Sequence, residues 1–521
     1  MKLRELLQDC DFMNGEKMGD MDIAGLAYDS RKVREDYLFV AIKGERHDGH
    51  DFIDDAVERG AKAVIVERDF KKREVSQRAF PLYILVKDSR KALACIANNF
   101  YARPSENLTM IGVTGTNGKT TTTYILKSIL EAWGKEVGLI GTIQYMIKNR
   151  SHPAPHTTPE SLEFQRLLKD MLLSGCTHVI SEVSSHGLAQ YRVDGTKFKA
   201  VVFTNLTRDH LDFHKTMEGY FRAKERLFIK LLDRDGTSVI NVDDPYGKRL
   251  ITSLGDFSKR WQDSPGQRML TYGCRTQADI MANDINNTSI GFRFKILFDG
   301  RSYDVSSPLI GISNIYNVMS AVGVSIAIGV PWKAILEGIE RAANIAGRFE
   351  KVDIGQDFLC VIDYAHTEDA LERLIYTARE LTLPPHPPLT KGGYRGGDSS
   401  PRIITVFGCG GDRDRGKRPG MGAVATRFSD LVIITSDNPR SEEPLDIIKE
   451  IESGTARRNY LVEPDRKEAI RRAVDIAGDG DVLLIAGKGH EDYQEIKGIR
   501  YGFSDREILE EAIKNKLKVQ I

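Results

Sequence analysis

The sequence lacks an excess of charge of either sign. Among its 521 residues, 74 are Lys or Arg and 74 are Asp or Glu, so the formal net charge at pH 7 is zero. Proteins that bind nucleic acid or anionic membrane surfaces usually carry a basic excess. We therefore expect neither partner, and small polar molecules are the better expectation.

Cysteine is also scarce, and its spacing does not suggest a metal site. The cysteines lie far apart, and no two of them form a C-x-x-C pair. This spacing argues against a zinc ribbon and against a small disulfide framework, and it fits a reducing cytoplasm. The six positions are Cys10, Cys95, Cys176, Cys274, Cys360 and Cys409.

Long hydrophobic runs are absent as well. The first residues, Met1 to Glu5, lack the apolar region of a signal peptide. The most apolar helix-like run, Val318 to Trp332, is too short to span a bilayer comfortably, and we interpret it as a buried helix. We expect a cytoplasmic monomer without a membrane partner.

The length and the alternation of strand and helix patterns predict three α/β domains, because 521 residues exceed what one core can hold. Residues 1–104 are predicted to form a small N-terminal α/β domain. Residues 105–345 are predicted to form a central, doubly wound domain, and residues 346–521 a C-terminal Rossmann-like domain. Ligands of open α/β sheets bind where the strands end, so polar residues after apolar strands are the first site candidates.

A Gly-rich turn is the strongest local signal. The run Met110 to Val113 leads into Gly115 to Thr120, where small residues let backbone N–H groups approach phosphate oxygens. Lys119 supplies a cation, and Thr120 supplies a hydroxyl for magnesium. The usual pattern G-x-x-x-x-G-K-[ST] needs glycine at position 113, whereas the first glycine is Gly112. ATP use is the hypothesis, and a Gly-rich turn without a ligand is the alternative.

Four motifs stand out along the chain: Gly115–Thr120 with Gly112, Ser181–Leu188, Thr204–Asp212 and Gly347–Glu350. Together they resemble motifs of the Mur ligases, the ATP-dependent amide-forming enzymes of bacterial cell-wall synthesis, in which the early glycine is the usual form. The resemblance covers essentially the whole chain, and its main departure is a Pro- and Gly-rich insertion at about residues 384–400. It implies that the N-terminal domain binds a UDP-sugar, that the central domain is a P-loop-type ATPase and that the C-terminal domain binds an amino acid.

Four further motifs are Asp29–Val33, His156–Glu160, Asp437–Arg440 and Gly487–Asp492. They resemble one branch of that family, the ligases that add meso-2,6-diaminopimelate to UDP-N-acetylmuramoyl-L-alanyl-D-glutamate. The resemblance implies that the D-glutamyl γ-carboxylate takes a phosphoryl group from ATP and that an amine then displaces the phosphate. An L-lysine-adding ligase of the same family and an NTP-driven switch protein that makes no bond are the alternatives.

The same resemblance implies which residues handle ATP and carry out the reaction. The substrate carboxylate and the ATP γ-phosphate, both anions, must come into contact. Their Coulomb repulsion is about 4 kcal/mol at roughly 4 Å for an effective dielectric constant of about 20, so fixed cations are needed. The expected catalytic residues are Lys119, Glu182, His210, Lys224 and Arg348. The expected contacts of ATP are Gly115, Thr116, Asn117, Gly118, Lys119, Thr120, Thr121, Asn317, Arg348, Asp363 and His366.

Magnesium is the metal that the family implies, with Thr120, Glu182, His210 and Lys224 as its ligands. For Lys224 the resemblance implies reaction with carbon dioxide, an N6-carboxylation that turns a cation into an anionic carbamate. Without the family, Lys224 reads as a solvated lysine and Asn317 as a helix-start residue. Magnesium prefers oxygen ligands, so a structural or hydrogen-bonding His210 is the alternative.

The resemblance also assigns two groups of residues to the substrates that become joined. Arg192 offers a cation to a substrate with several carboxylates, and Arg440 has the planar donors that would select the distal carboxylate of diaminopimelate against lysine. The UDP-dipeptide is expected at Ser30, Glu45, Arg46, His47, Thr157, Thr158, Ser184, Gln190 and Arg192, with a solvated turn as the alternative for residues 45–47. Diaminopimelate is expected at Arg413, Asp437, Asn438, Pro439, Arg440, Gly487 and Glu491.

Overall fold

A computed structural model of the chain describes residues 1–13, 21–44, 47–68, 81–260, 266–288, 290–342, 345–382 and 401–519. These residues form three sheets of mainly parallel strands and one two-stranded ribbon. Each sheet lies inside one of the three predicted domain ranges, whose boundaries stay predictions. The predicted insertion at about residues 384–400 and the predicted ligand contacts Glu45 and Arg46 lie outside the described residues.

The N-terminal sheet has four parallel strands. They are β1 (Gly25–Ala27), β2 (Tyr37–Val40), β3 (Ala61–Val66) and β4 (Leu82–Leu85), adjacent in that order. The helices are α1 (Leu3–Leu6), α2 (Ile53–Glu58) and α3 (Ser89–Phe100), with single 3₁₀ turns at Ser30–Lys32 and Gly49–Phe52. The strands are rich in apolar and β-branched residues, which suit a sheet with two covered faces.

One disulfide departs from the expectation that the cysteines stay reduced. Cys10 and Cys95 are bonded to each other, with their Cα atoms 5.8 Å apart and 85 positions between them in the sequence. Asn99 on α3 donates hydrogen bonds to the carbonyls of Leu6 and Gln8 at 3.0 and 2.7 Å, so the chain after α1 runs beside α3. This packing brings the two cysteines together, and sequence spacing alone does not show it.

The central sheet contains eleven strands. In chain order they are β5 (Thr109–Thr114), β6 (Val137–Ile140), β7 (Gln144–Ile147), β8 (Arg150–Pro153), β9 (His178–Glu182), β10 (Phe198–Phe203), β11 (Leu232–Asn241), β12 (Arg268–Gly273), β13 (Ile280–Thr288), β14 (Gly291–Phe298) and β15 (Arg301–Ser307). Their spatial order is β15-β14-β13-β12-β11-β10-β5-β9-β6-β7-β8. In this spatial order, every neighbouring pair from β13 through β6 is parallel. At the two edges, β14 and β15 on one side and β7 and β8 on the other are added by antiparallel pairing.

Helices cover both faces of this sheet. They are α4 (Lys119–Ala132), α5 (Ser161–Leu173), α6 (Ser185–Ala189), α7 (Leu211–His214), α8 (Met217–Arg226), α9 (Pro245–Arg260), α10 (Ile312–Ala327) and α11 (Trp332–Arg341), with a 3₁₀ turn at Pro104–Asn107 and a π-helical turn at Leu227–Leu231. On β5, Ile111 and Val113 join the core beneath α4, α10 and α11, whereas Met110 joins the core beneath α5 and α8. Successive residues of a strand point to opposite faces, so the predicted doubly wound architecture is confirmed.

The predicted buried helix at Val318 to Trp332 is two helices instead of one. α10 ends at Ala327, Gly329 adopts φ +79°, and Pro331 precedes the first residue of α11. A positive φ suits glycine, and proline at that point begins a new helix more readily than it continues an old one. Within the described ranges, none of the helices combines the length and apolarity that crossing a membrane requires.

The C-terminal sheet has six strands in the order β16-β17-β21-β18-β19-β20. In chain order, this part of the molecule contains β16 (Glu350–Val352), β17 (Leu359–Asp363), α12 (Glu368–Thr382), β18 (Ile403–Phe407), α13 (Arg418–Phe428), β19 (Leu431–Ile434), α14 (Pro444–Glu452), β20 (Tyr460–Val462), α15 (Arg466–Ile476), β21 (Val482–Ala486), the ribbon β22 (Tyr493–Ile496) and β23 (Ile499–Gly502), and α16 (Asp505–Val519), with a 3₁₀ turn at Arg415–Lys417. All pairings except that of β16 with β17 are parallel, as the predicted Rossmann-like domain requires.

Candidate active site

The Gly-rich turn lies at the carboxyl end of β5, between β9 and β10, and leads into α4. Gly118 adopts φ +87°, and a Cβ atom there would lie 2.4 Å from the side-chain oxygen of Asn317. The backbone N–H groups of Thr116 and Asn117 donate to the main-chain and side-chain oxygens of Asn205 at 2.9 Å. The turn is therefore held in shape by the loop that follows β10 and by α10. Asn317 lies inside α10, so its alternative interpretation as a helix-start residue is wrong.

Two lysines converge on one carbonyl oxygen of this turn. Lys119 donates to the carbonyls of Gly115 and Thr116 at 3.0 and 2.8 Å, and Lys224 donates to the carbonyl of Gly115 at 2.7 Å. Lys224 is 1% exposed, so the alternative of a solvated lysine is wrong. Burial, and secondarily the Lys119 cation, hold the pKa of Lys224 well below its usual range. Burial also lowers the pKa of Lys119.

Glu182 ends β9 and is fully buried beside the turn. Its Oε2 atom accepts hydrogen bonds from the Thr120 hydroxyl at 3.1 Å and from the Thr142 hydroxyl at 2.9 Å. Its Oε1 atom accepts a hydrogen bond from the backbone N–H of Thr142 at 2.9 Å. Arg348, from the C-terminal part, donates to the Thr120 hydroxyl at 3.1 Å. Thr120 thus joins a carboxylate of the central sheet to a cation from another domain.

His210 occupies a different part of the site. It directly precedes α7 and has φ +55°, and its Nε2 lies 3.3 Å from a carboxylate oxygen of Asp209. Burial lowers the pKa of His210 to about 3, which leaves the ring neutral near pH 7. Although burial opposes it, the His366 imidazole at 3.7 Å and the Lys417 ammonium at 4.0 Å hold the pKa of Asp209 well below its usual range. The Asp209 carboxylate is therefore ionised and gathers three nitrogen-bearing side chains around it.

Two oxygen donors of the kind that magnesium prefers as ligands lie together beside the turn. The Thr120 hydroxyl and the Glu182 carboxylate are in contact, whereas His210 contacts Asp209. Within the ranges that the structure describes, there is no group of three or more His, Cys, Asp or Glu side chains arranged to hold a metal ion. Magnesium could be held by these two oxygen donors, and an amine at Lys224 would not fit it as a ligand.

The expected ATP contacts on the C-terminal side meet the turn from across the domain boundary. The Asn117 side chain donates to Asp369 on α12 at 3.0 Å. Asp363, at the end of β17, accepts the N–H of Phe349 at 2.7 Å, and burial raises the pKa of its carboxyl. This bond fixes the turn that presents Arg348. Asp363 thus has a structural partner in addition to the ATP contact predicted for it.

A cleft of about 1480 Å³ joins the predicted substrate residues of all three domains. It is bordered by the ends of the central strands on one side and by the C-terminal strand ends on the other. Thr142 lines it and also bonds Glu182, so the phosphate loop adjoins the cleft. The predicted residues that line it are His47, Thr157, Thr158, Ser184, Gln190, Arg192, His210, His366, Arg413, Asp437, Asn438, Arg440, Gly487 and Glu491.

The predicted dipeptide residues form one hydrogen-bonded group. Thr158 donates to the Glu182 carbonyl and accepts the Ser184 N–H, both at 3.0 Å. Arg192 donates to the Thr158 carbonyl at 2.8 Å and to the Gln190 side chain at 2.7 Å. Ser30, another predicted residue of this set, is buried in the N-terminal domain at the start of its 3₁₀ turn. Thr158 thus links Arg192 to the end of β9 at Glu182, while the Arg192 guanidinium forms an ion pair with Glu160 at 2.8 Å.

The predicted diaminopimelate residues follow β18, β19 and β21. Arg440 has φ +53° and donates to the Gly411 carbonyl at 2.7 Å, with its Nε 3.9 Å from Glu495. Asn438 donates to Glu491 at 2.8 Å. Gly487 has φ +115°, and a Cβ atom there would lie 2.7 Å from the Asp437 carboxylate. The motif Asp437–Arg440, which contains Pro439, therefore packs directly against the Gly-rich turn after β21.

Sequence reasoning missed three residues that organise this site. Thr142 bonds both Glu182 and, at 3.1 Å, the hydroxyl of Thr157. The ring of Tyr364 lies 4.8 Å from the Arg348 guanidinium. Asp209, which directly precedes His210, carries the buried charge of that loop. Thr142 is the second residue after β6, so the rule that polar residues after parallel strands are site candidates could have found it.

Comparisons with protein families match most of the chain. The model described as the Mur ligase family, catalytic domain, matches residues 22–101, the Mur ligase middle domain matches residues 113–325, and the Mur ligase, glutamate ligase domain matches residues 347–489. Among curated relatives, a UDP-N-acetylmuramoyl-L-alanyl-D-glutamate--2,6-diaminopimelate ligase of Caldanaerobacter subterraneus subsp. tengcongensis is 44% identical over 95% of both chains. A protein of the same name from Aquifex aeolicus is 43% identical over 94% of both chains.

Solved structures agree with this. A structure of a UDP-N-acetylmuramoyl-L-alanyl-D-glutamate--2,6-diaminopimelate ligase superposes with a TM-score of 0.66 at 30% identity, covering 99% of both chains. The MurF ligase of Thermotoga maritima in complex with ADP superposes with a TM-score of 0.60 at 20% identity, covering 95% of this chain and 98% of that one. At that identity, the second likeness concerns the fold alone.

Thr142 provides a test of how the site is organised. Replacing Thr142 with Val removes the hydroxyl that bonds Glu182 and Thr157, and we expect ATP-dependent phosphate release to slow by about 10- to 100-fold, the effect of losing about 1–3 kcal/mol at a buried polar group. Thr142→Ser keeps the hydroxyl and is the control. Equal rates for the two variants would show that the hydroxyl is not needed.

Proposed function

The chain belongs to the Mur ligase family, and on that premise we propose that it joins meso-2,6-diaminopimelate to the D-glutamyl γ-carboxylate of UDP-N-acetylmuramoyl-L-alanyl-D-glutamate, using ATP, in the synthesis of a peptidoglycan precursor. The observation that supports this most directly is the cleft. It joins residues suited to a carboxylate-rich dipeptide, such as Arg192, to a guanidinium and carboxylate pair, Arg440 and Glu491, suited to the distal end of an α,ω-diamino acid.

The reaction begins with the transfer of a phosphoryl group. A carboxylate oxygen of the substrate attacks the γ-phosphorus of ATP, the bond to the β-phosphate oxygen breaks, and ADP leaves. The amine nitrogen then attacks the acyl carbon, phosphate leaves with the bonding electrons, and the nitrogen loses a proton. Phosphorylation thus replaces an oxide, which is a poor leaving group, with phosphate.

The chain's own cations allow the two anions to meet. Lys119 already directs its amino group at the turn that would hold the phosphates, and Arg348 reaches Thr120 from the opposite domain. Electrostatic stabilisation of this kind is strongest when water is excluded. The contact between Arg348 and Thr120 closes the two domains over the turn, which also protects an acyl phosphate from water.

The donor set beside the turn fits magnesium. The Thr120 hydroxyl and the Glu182 carboxylate would hold the ion, with His210 and a carboxylated Lys224 as the further ligands that we propose. When bound, magnesium supplies positive charge that offsets the charge of the phosphates. Carboxylation would resolve the misfit at Lys224, because the amine attacks the carbon of carbon dioxide, forms an N–C bond and loses a proton to become an anionic carbamate.

Carboxylation of Lys224 is testable by direct observation. Only the neutral amine attacks carbon dioxide, and a lowered pKa increases its fraction at neutral pH, so burial of Lys224 favours the reaction. We expect a carbamate resonance in the ¹³C NMR spectrum of the protein equilibrated with ¹³C-bicarbonate, and no such resonance from Lys224→Arg. Identical spectra for the two proteins would contradict the modification.

The acceptor end of the cleft distinguishes diaminopimelate from lysine by charge. Diaminopimelate carries a carboxylate at its distal carbon, and lysine does not. Arg440 is 18% exposed and presents planar donors that can form a bidentate pair with a carboxylate. Binding lysine would leave this guanidinium without a substrate partner, and such unpaired buried polar groups penalise the wrong substrate.

Arg440→Ala should therefore remove the preference for diaminopimelate. We expect the ratio of kcat/KM for diaminopimelate to that for L-lysine to fall by at least about 10- to 100-fold, since charge-assisted hydrogen bonds contribute about 1.5–3 kcal/mol. Arg457→Ala, at an exposed position in the same domain, is the matched control and should keep the ratio. An unchanged ratio in Arg440→Ala would assign selectivity to other residues.

An omission experiment tests the reaction as a whole. Phosphate release is measured with ATP, the UDP-dipeptide and diaminopimelate together, and again with each one left out. A ligase requires all three for full turnover, and the tripeptide product should appear in the mass spectrum in proportion to the phosphate released. Full release without the amine would favour an NTP-driven switch protein, and faster turnover with L-lysine would favour a lysine-adding ligase.

A further inference from the structure

Lys488 is a buried lysine to which the proposed reaction assigns no role. It follows β21 between Gly487 and Gly489, whose φ values of +115° and +54° turn the chain sharply. Its side chain is 0% exposed, and it lies behind the acceptor end of the cleft. Burying a lysine without partners is strongly unfavourable, so its contacts indicate what holds it there.

Both hydrogen bonds of the Lys488 amino group go to residues predicted to bind diaminopimelate, and the amino group also lies 5.4 Å from the centre of the Tyr493 ring. The Nζ atom donates to the side-chain oxygen of Asn438 at 3.2 Å and to Oε2 of Glu491 at 3.1 Å. The Asn438 oxygen also accepts the N–H of Glu495 at 2.9 Å, and its NH₂ group donates to the same Glu491 oxygen at 2.8 Å. Lys488 therefore fixes which way the amide of Asn438 points.

These bonds give the two carboxylate oxygens of Glu491 different partners. Oε2 accepts from Lys488 and Asn438, while Oε1 lies 3.5 Å from the hydroxyl of Tyr364. Glu491 lines the cleft, so Oε1 is the oxygen left to accept a hydrogen bond from a bound amine. The lysine also provides the counter-charge that a carboxylate at 15% exposure needs.

We infer that Lys488 is a positioning residue for acceptor recognition, which orients Glu491 toward the distal ammonium of diaminopimelate. This inference rests on the proposed function, because it takes diaminopimelate as the acceptor. Recognition of the distal end of diaminopimelate then has two parts. Arg440 recognises the distal carboxylate, and Glu491, held by Lys488 and Asn438, recognises the distal ammonium.

The test compares two acceptors that differ in one group. L-2-aminopimelate keeps the reacting amine and both carboxylates of diaminopimelate but lacks the distal ammonium. In the full-length enzyme with saturating ATP and UDP-dipeptide, Lys488→Met should raise KM for diaminopimelate by about 10- to 100-fold, as expected for the loss of a charge-assisted contact. KM for L-2-aminopimelate and kcat for both acceptors should change by less than about threefold.

Two further variants separate positioning from general damage. Lys488→Arg keeps the cation and should recover part of the diaminopimelate KM, and Lys449→Met, at a lysine whose side chain is 71% exposed on α14, should change neither constant. In a Glu491→Gln background, Lys488→Met should add little to KM for diaminopimelate, because both changes act on one contact. If Lys488→Met does not fold, Lys488→Gln replaces it with the same expected pattern.

Equal increases in KM for both acceptors would overturn the inference, because damage to the cleft does not depend on the distal ammonium. Additive effects of the Lys488 and Glu491 changes would also overturn it. Failure of the unaltered enzyme to add diaminopimelate would overturn the proposed function and this inference together. The three outcomes are distinguishable in one set of measurements.

Discussion

The hydroxyl of Thr120 makes the contact on which the rest of the site depends. It donates to Glu182 and accepts from Arg348, so one oxygen atom joins the phosphate loop, the end of β9 and the C-terminal domain. Every other element of the site is placed relative to this junction. The Gly118 turn fits against α10 behind it, and Thr142 extends the same hydrogen-bonded network into the cleft.

Although the chain has no net charge, cationic side chains are concentrated at the site. The cations Lys119 and Arg348 gather where phosphates would lie, and Arg440 lies at the far end of the cleft. Because these cations are buried, leaving them unpaired is unfavourable. Pairing with an anionic substrate therefore stabilises the site more than it would in bulk solvent. The same burial lowers the pKa of Lys224, which is what carboxylation of an amine requires.

Much of the architecture could be predicted, because apolar strands, Gly-rich turns and the polar residues after them follow local rules. Predicted residues such as Arg192, Arg440 and Glu491 line one cleft, as ligand binding at the carboxyl ends of parallel strands leads one to expect. The Cys10–Cys95 disulfide was not predicted, since it depends on α3 lying beside the chain after α1. The family resemblance, and no local pattern, singled out Lys224.

The sequence by itself determined the three-sheet architecture, the phosphate loop and the family to which the chain belongs, because these depend on residue order over short stretches. Only the tertiary structure decided which side chains meet. It brought Arg348 to Thr120 across 228 positions, and Lys488 to Asn438 across 50. The physical reason is that burial and hydrogen-bond partners depend on distance in space, which short-range patterns in the sequence do not specify.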